Sequence, residues 1–147
     1  MAHENSRRLS VVMPYLYPDL KSGVTTGDYH LQNDSDGNGT FLVWHPTEEN
    51  EGISEPTAQQ LADAKEAAVD ADWWRLLRKK RDKKLIESDW SQGTDVPSSL
   101  KTEHATYRTK LRDLPTTVTK PAYADLIKLE VTTSGIEALM PTKPEDN

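Results

Sequence analysis

The strongest constraint on this chain of 147 residues is a long, unbroken helical pattern. Thr57 and Gln60 form a T-x-x-Q capping box, in which each side chain satisfies a backbone N–H at the start of a helix. Apolar residues then recur at helical spacing as far as Asp89-Trp90, at Leu61, Ala64, Ala68, Ala71, Trp74, Leu77 and Leu85. The pattern predicts a helix of about 30 residues, roughly 45 Å long. Such a helix cannot bury its stripe alone and needs a second helix or another chain.

A second helix follows a short turn. Residues 91–97 (SQGTDVP) predict the turn, in which Gly93 is free to take positive φ. The helix is predicted from Ser98 or Ser99 to Asp113, with Pro115 as the stop. Its apolar stripe consists of Leu100, His104, Tyr107, Leu111 and Leu114. Because the connection is short, we expect the two helices to form an antiparallel helical hairpin, with Trp90 as the buried plug of its corner.

The residues before the long helix favour β-structure. Tyr29–Gln32 and Thr40–His45 are strand-like runs that flank a turn-rich cluster containing Gly37 and Gly39, which predicts a β-hairpin. Residues 9–20 are apolar but contain Pro14 and Pro18, which favours an extended segment over a long helix. That segment is either a strand of its own domain or an arm for a partner.

Together these patterns predict an α+β chain in three parts. Residues 1–55 form a small β unit with an extended arm and an acidic linker, and residues 56–115 form the helical hairpin. Residues 116–147 form an irregular C-terminal segment, with a weak amphipathic stretch at Tyr123–Val131 and a disordered or surface-draped tail from Pro141 to Asn147.

Charge and composition exclude several classes of protein. The net charge of −6 opposes general binding to nucleic acid or anionic membranes. The chain has no cysteine, which excludes disulfides and thiolate catalysis and fits the cytoplasm. Residues 1–10 are charged, and no stretch is long and apolar enough for a membrane span, so we expect neither a targeting signal nor an anchor. The four scattered histidines and the lack of a nucleophile motif predict a protein that is not an enzyme and needs no cofactor.

A candidate calcium loop lies in the hairpin turn, where Asp34, Asp36 and Asn38 follow the order D-x-D-x-N-G. The twelfth position, which should hold a glutamate, is His45. Since a polar turn explains the same residues, we expect no metal site.

The long helix carries a basic run from Arg75 to Lys84, with seven cations and one carboxylate. This run is a solvated face, a phosphate-binding face or a docking face for an acidic partner. The adjacent Trp73 and Trp74 point about 100° apart on a helix, so one packs inside and the other is an interface anchor. By register, Trp74 lies on the apolar stripe and Trp73 outside it. The candidate partner-binding residues are therefore Trp73, Arg75, Arg78 and Lys79, with Tyr15 and Tyr17 of the N-terminal arm.

Residues 81–115 resemble the phage tail-fibre assembly chaperones, whose pattern is R-D-x-L-L-x-x-S-D-W-T-Q, a D-x-P turn, and a helix that ends Y-R-x-x-L-R-D-x-P. The residues that carry this signature are Arg81, Asp82, Leu85, Asp89, Trp90, Pro97, Tyr107, Arg108, Leu111, Arg112 and Asp113, with Trp74 as an upstream structural residue. The chain departs from the family at His104, where tryptophan is usual, and at residues 139–141 (LMP), which replace a late tryptophan-proline pair.

The resemblance implies a chaperone that helps a trimeric tail fibre fold or assemble in the host cytoplasm, without nucleotide or covalent chemistry, and that can remain on the virion fibre. The first alternative is a purely structural baseplate or fibre component of the virion. A weaker alternative is an accessory protein that binds nucleic acid.

Overall fold

The computed structural model describes residues 3–4, 8–33, 39–127 and 131–145, and the fold is α+β, as predicted. The N-terminal part contains β1 (His3–Glu4), α1 (Leu9–Leu16), β2 (Tyr29–Asn33) and β3 (Thr40–Trp44). It is followed by α2 (Ala58–Glu87), a 3₁₀ turn (Asp89–Gln92), α3 (Ser98–Thr117), α4 (Tyr123–Leu126) and α5 (Val131–Leu139). By its contacts the chain divides into two compact units, residues 1–70 (the first unit) and residues 71–147 (the second unit).

The predicted β-hairpin is confirmed. Strands β2 and β3 pair antiparallel, with Tyr29 opposite Trp44 and Leu31 opposite Leu42, and β1 adds a short third strand in the order β1-β3-β2. Gly39 has a φ of 107°, which glycine adopts without steric cost at the entry to β3. The alternation of the strands directs Tyr29 and Leu42 into the core of the first unit, where they are 3% and 0% exposed.

The expectation of an extended segment at residues 9–20 is wrong, because residues 9–16 form α1. Leu9, Val12 and Met13 lie at helical spacing and are almost fully buried, at 2%, 1% and 0% exposure. Their burial offsets the cost of Pro14, which lies inside the helix and removes one backbone donor. The helix is short, only 8 residues, as the two prolines predict.

A buried carboxylate fixes the loops around the sheet. Asp28 is 1% exposed and accepts hydrogen bonds from the backbone N–H of Lys21 (2.9 Å), from the hydroxyl and N–H of Thr47 (2.6 and 2.9 Å) and from the side-chain amide of Asn50 (3.1 Å). These donors, led by the Lys21 N–H, hold the pKa of Asp28 well below its usual range. The residues after β3, expected to be a featureless acidic linker, are therefore tied to the sheet by Thr47 and Asn50.

Helix α2 begins at the capping box. The backbone N–H of Gln60 donates to the Thr57 hydroxyl (3.1 Å), and the N–H of Thr57 donates to Oε1 of Gln60 (2.8 Å). The helix then runs for 30 residues, which confirms the predicted start and length. The C-terminal end of α2 passes into the 3₁₀ turn, and Gly93, which follows that turn, is extended at φ −62° and does not use the positive φ that glycine is free to take.

Helix α3 follows the predicted stripe but ends later than predicted. His104, Tyr107, Leu111 and Leu114 are buried, whereas Pro115 lies inside the helix instead of stopping it. In the last turn two threonine hydroxyls donate to carbonyls at the end of the helix, Thr116 to Asp113 (2.7 Å) and Thr117 to Leu114 (3.3 Å). The antiparallel course of α3 along α2 remains a prediction.

The C-terminal segment is more helical than expected. The predicted amphipathic stretch at residues 123–131 is interrupted: α4 covers Tyr123–Leu126, and residues 128–130 lie outside the described part. Residues 141–145 have no regular secondary structure, and residues 146–147 of the predicted tail lie outside the described part of the chain. Within the described ranges, no helix has the length and apolar character needed to cross a membrane.

Candidate protein-binding surface

The corner between α2 and α3 is held by one arginine. Arg108, 9% exposed, donates from Nη1 to the Leu85 carbonyl (2.6 Å) and to Ser88 Oγ (2.8 Å), and its Nη2 lies 2.8 Å from the Asp89 carboxylate. The Leu85 carbonyl is one of the terminal acceptors that a helix leaves without an intrahelical donor. The guanidinium therefore caps α2 and fixes the 3₁₀ turn to α3 at the same time.

Two buried serines complete the corner. Ser88 and Ser91 are 1% and 0% exposed; Ser88 donates to the Leu85 carbonyl (3.0 Å) and Ser91 to the Ser88 carbonyl (2.6 Å). A 3₁₀ turn has three residues per turn, so residues 88 and 91 lie on the same inner side. Neither serine was given a role from the sequence, although both fall within the S-D-W-T-Q part of the family signature and their i, i+3 spacing across a helix break was a usable signal.

Trp90 is not the buried plug expected at this corner. The same three-residue repeat directs residue 90 away from the serines, and Trp90 is 45% exposed. One edge of its ring meets His104, with ring centroids 5.0 Å apart and planes inclined by 64°. His104 itself is fully buried and its Nδ1 lies 3.1 Å from the Leu100 carbonyl. The Trp90 indole is thus half-exposed and packs against the buried ring of His104.

The expected assignment of the two adjacent tryptophans is reversed. Trp73 is 2% exposed and Leu77, one turn later, is 0% exposed, whereas Trp74 is half-buried and Ala71 is exposed. The rings of Trp73 and Trp74 meet edge to face at 4.8 Å, and Arg78 lies 5.8 Å from the Trp74 ring centroid. The buried stripe follows Trp73 and Leu77 because these large side chains exclude more water than the alanine at position 71. Trp73 is therefore a core residue and not an exposed anchor.

The outer face of α2 forms an open groove of about 1120 Å³ with α5. Its lining contains five cations and two carboxylates around a small set of apolar side chains. These residues are Ala71, Arg75, Leu76, Arg78, Lys79, Lys80, Asp82, Lys83, Ile86, Glu87 and Ile136. Three of the six predicted partner-binding residues, Arg75, Arg78 and Lys79, lie in this groove.

Ile86 is the large apolar side chain that the groove exposes, at 70% exposure. Sequence reasoning missed it, although it follows Lys79 and Asp82 by seven and four residues and so shares their helical face. Ile136 is 3% exposed and is held at the groove by its neighbour Glu137, which pairs with Lys80 (2.7 Å) and Lys84 (3.1 Å). Hydrogen bonds from these two lysines lower the pKa of Glu137.

The remaining predicted site residues lie in the first unit or outside the described part. Tyr15 is 48% exposed, and Tyr17 packs against Trp44 with ring centroids 5.8 Å apart. The candidate calcium residues Asp34, Asp36 and Asn38 lie outside the described residues. Among the residues that the structure does describe, no three histidines or carboxylates come together as metal ligands.

Residues 74–144 match the family model of the phage tail assembly chaperone protein. This segment belongs to the phage tail assembly chaperone family. Comparison with curated proteins and with solved structures gave no match. The matched segment contains the Arg108 corner, the exposed Trp90 and most of the groove residues. For a tail assembly chaperone the partner is a phage tail protein, which makes the exposed surfaces of this segment the candidate contact region.

Proposed function

We propose that this chain is a tail-fibre assembly chaperone without enzymatic activity, which binds the fibre protein and assists its folding and trimerisation. The observation that supports it is the coincidence of the family segment, residues 74–144, with exposed apolar and cationic side chains on α2 and at the corner. Among the described residues of this segment, Ile86 and Trp90 are the most exposed large apolar side chains, at 70% and 45%.

The physical basis is the cost of exposing subunit interfaces before assembly. A fibre chain that has not yet found its two partners leaves apolar surface in water, and such surface promotes aggregation. A small protein with exposed apolar side chains between charged ones can cover that surface and still remain soluble alone. We place this action in the host cytoplasm during assembly.

Co-expression tests the proposal. Each tail-fibre gene of the same phage is expressed with this chain, and soluble trimer is measured by size-exclusion chromatography with light scattering. We expect one fibre to gain soluble trimer, and the matched control is the same fibre expressed with an unrelated small protein. If no fibre gains soluble trimer beyond that control, the proposed function is wrong.

Purified particles distinguish a chaperone from a structural component. A chaperone that leaves is absent from the virion by mass spectrometry, whereas a baseplate or fibre component is present at fixed stoichiometry. A chain that raises trimer yield and also stays at fixed stoichiometry is a chaperone retained on the fibre.

A further inference from the structure

The groove on α2 has features that select its occupant. Its apolar and cationic lining extends from Ala71 to Glu87, which is about 24 Å along a helix at 1.5 Å per residue. That length matches a partner segment of four to five helical turns. The exposed Ile86 lies near one end of the strip and gives an occupant an apolar contact there.

The backbone of α2 limits the conformation of the occupant. The N–H and C=O groups in the middle of α2 are used within the helix, so this face offers side chains and no free backbone donors or acceptors. An extended peptide would gain no strand pairing there and would leave its own backbone groups without partners in the contact. A helix brings its backbone bonds already satisfied, and its side-chain ridges fit the grooves of another helix.

The charges of the groove set the chemistry of the occupant. Arg75, Lys79 and Lys83 repeat at intervals of four residues and so form a row along α2. The groove lining has five cations against two carboxylates. Arg75 pairs with Asp72 (2.7 Å) and Lys83 lies 3.8 Å from Glu87, but the two cations are 61% and 74% exposed, so these ion pairs are weak and leave both side chains accessible to a partner. A carboxylate row with the same four-residue repeat would face this row on an opposing helix.

We propose that this groove receives an acidic, amphipathic helix of the phage tail protein, with its apolar side chains on Ile86 and Leu76 and its carboxylates along Arg75, Lys79 and Lys83. This inference rests on the proposed function for the identity of the partner. The acidic, amphipathic and helical character of the occupant is inferred from the groove alone and can be tested without the fibre.

The test uses the full chain and designed 18-residue helical peptides. The probe peptide has leucines at helical spacing with glutamates at every fourth position beside them; one control peptide has the same composition in scrambled order, and another has lysine in place of glutamate. Fluorescence anisotropy of labelled peptides measures Kd. We expect the probe to bind at least about tenfold more tightly than either control peptide, as a matched apolar and charged surface does.

Variants of the chain locate the contact. Ile86→Ser and Lys79→Glu should each weaken probe binding about tenfold. The matched control is Lys110→Glu, an exposed lysine on α3 outside the groove lining, which should leave binding unchanged. Circular dichroism checks that all three variants keep the helix content of the parent chain, and Lys79→Arg should restore binding.

Several outcomes overturn the inference. The scrambled peptide must bind more weakly than the probe, because equal affinity would show that the order of charges does not matter. Stronger binding of an 18-nucleotide single-stranded DNA would assign the groove to nucleic acid. If light scattering shows that self-association of the chain blocks probe binding, the groove is an interface between two copies of the chain. If co-expression raises the soluble trimer and Ile86→Ser and Lys79→Glu leave that yield unchanged, the groove inference fails and the proposed function stands. If the probe binds as expected but no fibre gains trimer, the proposed function fails and the groove chemistry stands.

Discussion

Arg108 explains at the residue scale why two distant pieces of the family signature occur in one chain. The S-D-W piece at residues 88–90 and the Y-R piece at residues 107–108 meet through its guanidinium, which contacts Ser88 and Asp89. A lysine could not reach several acceptors in this way, because it presents a single charged point in place of a planar fork. The two pieces of the signature thus meet in one structural corner.

We expect Arg108→Met to lower the free energy of unfolding by about 1.5–3 kcal/mol, since it removes charge-assisted hydrogen bonds to buried acceptors while keeping an apolar stem. The Asp89 contact adds little to this value because that carboxylate is 62% exposed. Arg112→Met, an exposed arginine one turn later, is the control and should change stability by less than about 0.5 kcal/mol. Urea denaturation measures both, and equal losses would remove the role assigned to Arg108.

Substitution of Trp73 by alanine should mainly lower stability, whereas substitution of Trp90 by alanine should mainly weaken binding to the fibre. Trp73→Ala should cost about 3–5 kcal/mol, because a large buried side chain is lost. Trp90→Ala should cost less than about 1.5 kcal/mol, since nearly half of the side chain is in water and its main ring contact is His104. In the co-expression assay, Trp90→Ala should still lower soluble fibre yield. A large loss of stability for Trp90→Ala would contradict its exposed position.

Asp28 makes the first unit sensitive to acid. Its pKa is lowered in the folded chain, so its stabilising contribution is complete above the ordinary aspartate pKa of about 3.9 and is lost as pH falls below that value. Asp28→Asn should therefore be less stable than the parent chain at pH 7, and the difference should shrink between pH 4 and pH 2. Urea midpoints across this range measure it. Asp19→Asn, at an exposed aspartate of the same unit, is the control.

At the scale of elements, the sequence predicted what local chemistry determines. The Thr57 and Gln60 box marks the start of α2, and the turn residues between two strand-like runs mark the hairpin of β2 and β3. The buried stripe of α3 was also readable, because its spacing leaves one consistent apolar face. In each of these elements the local signal and the tertiary contacts agree.

The elements and orientations that the sequence did not predict depend on tertiary contacts. Pro14 locally disfavours a helix at residues 9–16, and only the burial of the apolar face of α1 shows why the helix forms. The choice between Trp73 and Trp74 depends on a 100° rotation of α2, and the nearby alanines fit either face. The groove was half predicted: its cations were visible as a run, but the contribution of Ile136 needed the docking of α5 through Glu137.

At the scale of the whole molecule, charge is divided unevenly between the two units, which determines how salt affects binding. Residues 1–70 carry four Lys and Arg against twelve Asp and Glu, a net charge of −8, whereas residues 71–147 carry fourteen against twelve, a net charge of +2. The unit that holds the groove therefore attracts an acidic helix. Salt screens over about 30 Å at 0.01 M, about 8 Å at 0.15 M and about 3 Å at 1 M, so added salt weakens this attraction.

We therefore predict that the affinity for the acidic probe peptide falls steadily as the salt concentration rises from about 0.01 to 1 M, because the Debye length shrinks from about 30 Å to about 3 Å and screens the groove cations. Fluorescence anisotropy titrations over this range measure the dependence. In Lys79→Glu the attraction is weaker, so the affinity should start lower and fall less steeply with salt. A parent chain whose affinity does not fall with salt would contradict the role assigned to the groove cations, because screening must weaken any binding that depends on them.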